Sequence, residues 1–148
     1  MIMRDCKHVF TYGSLMFPVV WRGVVRGDYH SATAVLSGLR RLCVRGEEHP
    51  ALVVAPQASA LAGVVYFDVE PDDLARLDYF EGREYARVSL SVQAKAHEAG
   101  RPDFITADAY LALNIDDLLT CDWDVAAFER DGLPRFLARY AVDNAPRD

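Results

Sequence analysis

The sequence predicts a mixed α+β fold in which a small β-barrel or strongly curved sheet is flanked by helices. Runs rich in β-branched and aromatic residues dominate the middle of the chain, and apolar residues at helical spacing lie on either side of them. No internal repeat, low-complexity tract or linker interrupts this pattern, and 148 residues are enough for an independent core. We therefore expect residues 1–148 to form a single domain.

The N-terminal half opens with a strand from Val9 that ends at the turn Tyr12-Gly13-Ser14-Leu15. Apolar spacing then predicts a helix over 16–26, and Gly27 is where it should end. Four strands are expected to follow, at 34–36, 41–44, 50–56 and 61–69. The last of them is almost continuously apolar, which predicts burial on both of its faces.

The C-terminal half begins with a helix that starts at Pro71 and stops at Gly82, the residue types preferred at those two positions. Hydrophobicity then alternates with period two over 85–92 and again over 105–113, which predicts a hairpin across a turn at 95–103. Asp122 is expected to cap a helical segment that breaks near Gly132, and residues 146–148 are expected to fray. The last helix should pack on the sheet through an apolar stripe formed by Leu133, Phe136, Leu137 and Tyr140.

Composition excludes several classes of protein. A net charge of −6, with lysine only at positions 7 and 95, argues against a nucleic-acid-binding surface. No apolar run approaches the roughly 20 residues that span a bilayer, and the first residues carry charges where a signal peptide is apolar. We therefore expect a cytoplasmic protein with no membrane partner. The three cysteines are too few and too widely spaced for a disulfide framework, and the histidines lack zinc-site spacing, so no metal site is expected.

Glu81 is the strongest candidate for a catalytic residue. If the last turn of its helix continued, Glu81 would follow Leu77 by four residues, on the side that faces the core. A carboxylate in that position loses hydration, which raises its pKa toward the range where it both accepts and donates a proton. Position alone favours the alternative, a solvated acid at the end of a helix.

The turn at residues 12–15 follows a strand and exposes consecutive backbone N–H groups, which suits a carboxylate or another anion; an ordinary β-turn is the alternative. Ser14 lacks the second glycine of a nucleophile elbow, so we do not expect a covalent serine mechanism. Arg87 shares a strand face with Tyr85. It could orient a carboxylate or stabilise a buried acid, and it is equally consistent with a surface ion pair.

Two stretches together resemble the γ-glutamylcyclotransferase-like superfamily, including its AIG2-like branch. The first is Tyr12-Gly13-Ser14-Leu15 after a strand, and the second is Leu77-Asp78-Tyr79-Phe80-Glu81-Gly82 followed by Tyr85-Ala86-Arg87. A His-Pro-Ala-Leu segment at 49–52, the strand at 61–66 and the helix at 123–128 also fall in the expected order, so the resemblance spans nearly the whole chain. Leucine at position 15 places the chain with the AIG2-like branch.

The resemblance implies a small β-barrel with flanking helices and an enzyme that needs no metal or organic cofactor. Members of the superfamily cyclise a γ-glutamyl or ε-(γ-glutamyl) amine to 5-oxoproline, and the amine or amino acid is released. The expected partner is thus a small-molecule γ-glutamyl substrate. By position in the motifs, Glu81 would be the general acid and base. The substrate-binding residues would be Tyr12, Gly13, Ser14, Leu15, Tyr85 and Arg87.

Two other functions stay open at this point. The same fold could serve as a ligand-binding or regulatory domain without turnover, and a hydrolytic amidase would use water in place of the internal amine. The glutamate at position 81 favours the cyclotransferase, because a binding pocket for a zwitterion does not require a protonatable acid there.

Overall fold

The computed structural model of the protein describes residues 5–94 and 103–140. Its strands are β1 (Lys7–Thr11), β2 (Ser31–Leu36), β3 (Leu39–Val44), β4 (Pro50–Val54), β5 (Leu61–Val69), β6 (Tyr85–Ala94), β7 (Asp103–Ala112) and β8 (Leu118–Asp122). Its helices are α1 (Pro18–Val24), α2 (Pro71–Glu81), α3 (Val125–Ala127) and α4 (Leu133–Tyr140). A 3₁₀ turn, Ser14–Met16, precedes α1, and a π-helical turn, Phe128–Gly132, joins α3 to α4.

Five strands close into a barrel in the order β1-β5-β2-β6-β7. Neighbouring strands are antiparallel except β1 and β7, which run parallel and meet at Val9 and Asp108. β6 and β7 form a long ladder, from Tyr85 opposite Ala112 to Ala94 opposite Asp103. The remaining three strands form a separate sheet in the order β4-β3-β8. The predicted α+β class, the barrel and the β6–β7 hairpin are confirmed.

The hydrophobic core consists of two clusters. One draws alternate residues from the barrel strands, including Val65 and Val92, neither of which has any exposed surface. The other lies where the helices cover the barrel. Within it the ring of Trp21 on α1 stacks on Tyr66 of β5, with the ring centroids 3.7 Å apart. The chain folds this way because each helix carries one apolar face and the barrel offers the complementary surface.

The C-terminal region differs from its prediction in two respects. Asp122 does not cap a helix; it ends β8, and its carboxylate accepts a hydrogen bond from Arg40 Nη2 at 2.8 Å. The cap is Asp124, whose Oδ1 accepts from the backbone N–H groups of Ala126 and Ala127. The segment also continues through Gly132 as a π-helical turn instead of breaking there. β8 was not predicted, because it is a mostly exposed edge strand without alternating hydrophobicity.

One burial prediction needs correction. β5 is not buried on both faces along its length, since Ala62 and Asp68 are exposed. On β7 the polar residues Asp108 and Tyr110 are buried, with only 5% and 4% of their surfaces exposed. The end of α2 explains this burial, because its Asp78 accepts a hydrogen bond from the Tyr110 hydroxyl and so lies against this face of the barrel.

Several predictions remain untested. The turn residues 95–102 and the end at 146–148 lie outside the described residues, and the single domain over 1–148 stays a prediction. Among the described residues, no helix has both the length and the apolar character needed to cross a membrane.

Asp73 joins α2 to the segment that follows α1. Its carboxylate accepts hydrogen bonds at 2.9 Å from the backbone N–H groups of Arg26 and Gly27, at 2.7 Å from the Tyr29 hydroxyl and at 2.6 Å from Arg76 Nη1. Burial opposes ionisation of this carboxyl, but the four hydrogen bonds outweigh burial and hold its pKa below the ordinary value.

We expect Asp73→Asn to lower the free energy of unfolding by about 1–3 kcal/mol, because it removes the charge that these four donors face. A lowered folded-state pKa stabilises the protein above the unfolded pKa, and that contribution is lost as the pH falls. The difference between the variant and the wild type should therefore shrink below about pH 4. Urea unfolding of both proteins at neutral and acidic pH measures this difference in the free energy of unfolding. Asp72→Asn, at an exposed position on the same helix, is the matched control.

Candidate active site

A cavity of about 310 Å³ lies where the end of β1, the β3–β4 connection, the end of α2 and the start of β6 meet. This volume is in the range of small-molecule sites. Its wall combines aromatic rings with ionisable side chains. The lining residues are Phe10, Thr11, Tyr12, Gly13, Ser14, Leu15, Val44, Arg45, Glu47, His49, Pro50, Phe80, Glu81, Glu84, Tyr85, Tyr110, Asp117 and Phe136.

The turn at residues 12–15 forms one wall of the cavity and is held from two sides. Arg41 Nη1 donates to the carbonyl of Tyr12 at 2.9 Å. On the other side, Gly13 packs so closely on Pro50 that a Cβ at position 13 would lie 2.7 Å from its Cδ atom. Glycine is therefore required here for close approach of the turn to β4.

The turn presents unused hydrogen-bonding groups. Within residues 5–94 and 103–140, the backbone N–H groups of Gly13, Ser14 and Leu15 donate to no acceptor. The Ser14 side chain has no hydrogen-bond partner there either, although only 6% of this residue is exposed. Buried polar groups normally have partners, so these groups fit a bound carboxylate or carbonyl oxygen.

Glu81 lies across the cavity as the last residue of α2. The helix stops after it because Gly82 has a φ of 83°, in the left-handed region that favours glycine. The half-buried Glu81 carboxylate has no hydrogen bond or ion pair with any described residue. Burial in the cavity wall, and to a lesser extent the charge of Asp78, raise its pKa to about 8. A carboxyl group with this pKa exchanges a proton near neutral pH.

Three tyrosines supply the remaining polar wall. The Tyr12 hydroxyl donates to the backbone carbonyl of Tyr110 at 2.6 Å, and the Tyr85 hydroxyl donates to the carbonyl of Pro50 at 3.4 Å. Burial raises the pKa of Tyr12 well above the ordinary value, and the neighbouring Glu81 raises it further. Tyr12 therefore stays protonated and acts as a donor.

Charged residues lie at other positions around the cavity. Glu47 accepts from Arg139 Nη1 at 3.2 Å and lies 3.8 Å from the imidazole of His49, while Glu84 is exposed. Burial lowers the pKa of His49, so its imidazole is neutral at neutral pH. Arg45 and Asp117 are joined by a backbone hydrogen bond of 2.8 Å.

The structure brings Glu81 and five of the six predicted substrate-binding residues to this cavity: Tyr12, Gly13, Ser14, Leu15 and Tyr85. Arg87 does not line it. Its guanidinium is held by Asp78 and Asp108 through hydrogen bonds of 2.8 and 2.7 Å. Of the alternatives that its strand position left open, the structure shows ion pairs, one of them with the buried Asp108. The roles of all seven residues stay predictions.

Sequence reasoning did not identify several lining residues as members of the site. Tyr110, Asp117 and Phe136 are distant in sequence from both motifs. Only the closed barrel, the pairing of β8 with β3 and the packing of α4 bring them to the cavity. A local pattern could not have indicated them. The described residues contain no cluster of three or more His, Cys, Asp or Glu side chains that could hold a metal ion.

Residues 9–125 match the sequence profile of the family described as "Gamma-glutamyl cyclotransferase, AIG2-like". This range includes the turn at 12–15 and the Glu81 motif, the two stretches that carried the resemblance. The chain belongs to this family.

Relatives in the AIG2-like group include AIG2-like protein D of Arabidopsis thaliana, which is 36% identical over 84 residues. That alignment covers 57% of this chain and 55% of the relative, so the chain matches about half of that protein's length. A solution structure of another Arabidopsis thaliana protein has a TM-score of 0.67 at 22% identity, covering 99% of this chain and 98% of its own. A structure named gamma-glutamyl cyclotransferase has a TM-score of 0.61 at 17% identity, with coverages of 97% and 90%. At these identities the structures show a shared γ-glutamylcyclotransferase-like fold.

We expect Tyr12→Phe to lower the free energy of unfolding by about 1–2 kcal/mol, because it leaves the buried carbonyl of Tyr110 without its donor. The ring itself, and hence the shape of the cavity, is retained. Chemical denaturation monitored by tryptophan fluorescence measures the loss. Tyr79→Phe is the matched control, since Tyr79 is 89% exposed. Equal stabilities of the two variants would contradict this role of the Tyr12 hydroxyl.

Proposed function

We propose that this protein is a cofactor-independent cyclotransferase that converts a γ-glutamyl amine or γ-glutamyl amino acid to 5-oxoproline. One observation carries the proposal: a half-buried carboxylate without a partner, Glu81, faces the free N–H groups of the turn at 12–15 across one small cavity. Membership in the γ-glutamyl cyclotransferase, AIG2-like family supports it.

The turn would bind the glutamyl group. The N–H groups of Gly13, Ser14 and Leu15 and the Ser14 hydroxyl match the acceptor oxygens of the substrate's α-carboxylate or its side-chain carbonyl. Tyr12 lines the cavity as an uncharged side chain, and its hydroxyl is held by the hydrogen bond to the carbonyl of Tyr110. Tyr85 lines the cavity close to Pro50.

Glu81 would carry the proton between the two amines. As a carboxylate it takes a proton from the substrate's α-ammonium group, and the resulting amine attacks the γ-amide carbonyl. A carbon–nitrogen bond forms to close the five-membered ring, and the ring nitrogen then gives up its second proton. The bond to the departing amine breaks as that amine takes up both protons by way of Glu81 and leaves as an ammonium ion. No water is consumed and Glu81 ends as it began. The reacting groups belong to one molecule, so positioning and a single tuned acid and base suffice.

A carboxyl group is suited to this task only if its pKa lies near the working pH. An ordinary glutamate is too weak a base for an ammonium group and too strong an acid to keep its proton. The pKa of about 8 for Glu81 brings the two requirements together. A domain that only bound a glutamyl zwitterion would not require a carboxyl with so high a pKa, which favours turnover over binding alone.

The test is incubation with a panel of γ-glutamyl amines and amino acids, following 5-oxoproline by chromatography. We expect Glu81→Gln to lower the rate by about 10²-fold or more, because the amide keeps the shape of the side chain but cannot transfer the proton. Glu129→Gln, the same change at an exposed position on the π-helical turn, should retain the wild-type rate.

Two results would contradict the proposal. A Glu81→Gln protein as active as the wild type would remove Glu81 from the mechanism. Release of free glutamate in place of 5-oxoproline would identify a hydrolytic amidase.

A further inference from the structure

The Arg87 guanidinium joins two carboxylates on the outer side of the barrel. Its Nε and Nη2 atoms donate to both oxygens of Asp78, at 2.8 and 3.2 Å, and its Nη1 atom donates to Asp108 Oδ2 at 2.7 Å. The second oxygen of Asp108 accepts from the Ser89 hydroxyl at 2.8 Å. Each of the three guanidinium nitrogens of Arg87 therefore donates a hydrogen bond, to one acid on α2 and one on β7.

The same network reaches the substrate side of the cavity. Asp78 Oδ1 also accepts from the Tyr110 hydroxyl at 2.6 Å, and the backbone carbonyl of Tyr110 accepts from the Tyr12 hydroxyl at 2.6 Å. A continuous chain of short hydrogen bonds thus links the last turn of α2 with β6, β7 and the end of β1. These elements also form the wall around Glu81.

Asp78 and Glu81 are three residues apart in the last turn of α2, a spacing that makes them neighbours on the helix surface. Two carboxylates so placed repel each other, and the cation of Arg87 offsets one of them. Asp78 and Arg87 belong to the same motif as Glu81, and neither of them lines the cavity. Their effect is therefore on Glu81.

We propose that Asp78, held by Arg87 and Tyr110, is a positioning residue that fixes the place and the charge of Glu81. This inference rests on the proton-transfer role proposed above for Glu81. In this arrangement Asp78 favours the protonated form of Glu81, Arg87 limits that effect, and the hydrogen bonds to Tyr110 and Arg87 anchor the end of α2 on the barrel.

The solvent exposure of Asp78 limits how far its charge raises the pKa of Glu81. The Asp78 side chain is 46% exposed, so water screens its charge, whereas Asp108 is only 7% exposed. Burial therefore remains the larger cause of the raised pKa of Glu81, with Asp78 second. Removing the Asp78 charge should lower this pKa without returning it to the value of an ordinary glutamate.

Other groups face Glu81 from the packed elements and must be separated from Asp78. Tyr12, Tyr85 and Tyr110 line the same wall, and burial raises the pKa of Tyr12 and Tyr110, which keeps both neutral. The remaining ionisable lining groups are Arg45, Glu47, His49, Glu84 and Asp117. All are unchanged in the variants below, so the differences between variants report on Asp78 and Arg87.

The experiment is a pH titration of the Glu81 carboxyl by carbon NMR in protein labelled at glutamate side chains, assigned with Glu81→Gln. In Asp78→Asn the midpoint should fall by about one pH unit, because an anion is lost. In Arg87→Gln it should rise, by less than it falls in Asp78→Asn, because Arg87 acts on Glu81 only by offsetting the charge of Asp78. Arg87→Lys keeps the charge and should titrate close to the wild type. Asp72→Asn, on the same helix, is the control.

A purely structural ion pair would not move the midpoint in opposite directions, so the opposed shifts distinguish the two roles. If Arg87→Gln does not fold, the test is a lower midpoint in Asp78→Asn beside an unchanged midpoint in Arg87→Lys. Midpoints that move in one direction, or that stay with the wild type in every variant, would overturn the proposal.

Turnover gives a second readout. Since a protonated Glu81 cannot accept a proton, the acidic limb of kcat/KM against pH should follow the same opposed shifts. Arg87→Lys should lower kcat by about tenfold and change KM little. Lysine cannot form the paired hydrogen bonds to Asp78, so the end of α2 is held less firmly. If the NMR midpoints shift as expected but no substrate is turned over, the proposed function fails while the link to Glu81 stands. If turnover depends on Glu81 but the midpoints do not move, only the present inference fails.

Discussion

An unpaired carboxylate at the end of a helix is the constraint on which the site depends. Glu81 lies at the C-terminus of α2, where the helix dipole already disfavours a negative charge, and the cavity wall removes part of its hydration. A salt bridge would relieve both effects, yet the arginine of the same motif, Arg87, binds Asp78 and Asp108 instead. The fold thus leaves Glu81 destabilised as an anion, and this is what makes its proton exchangeable near neutral pH.

The rest of the architecture brings the turn at 12–15 to the same cavity as that carboxylate. Closure of the barrel between β1 and β7 places Tyr12 beside Tyr110, and the separate β4-β3-β8 sheet supplies Pro50, against which Gly13 packs. Arg41 of β3 ties the sheet to the turn by its hydrogen bond to the Tyr12 carbonyl. Elements from both sheets and from α2 therefore meet at one cavity, and the strands hold the turn in place through Arg41 and Pro50.

The parts of this account that were predictable from sequence are those encoded locally. The glycine after Glu81 ends a helix, the period-two pattern gives the β6–β7 hairpin, and Gly13-Ser14 ends the first strand in a turn. Residues that reach the site through tertiary contacts were not predictable: Asp117 and Phe136 join the cavity only because β8 and α4 fold back on it. The strand position of Arg87 left open whether it orients a carboxylate, stabilises a buried acid or forms a surface ion pair. Only the structure shows that its guanidinium pairs with Asp78 and with the buried Asp108.

The central claim is that the substrate's own amine, activated by Glu81, is the nucleophile. The most direct measurement is mass spectrometry of the products formed from a γ-glutamyl amine in water enriched in the heavy isotope of oxygen. The account predicts 5-oxoproline at its ordinary mass together with one equivalent of free amine, because no water enters the reaction. Glutamate carrying one heavy oxygen atom would contradict it, since water would then be the attacking group.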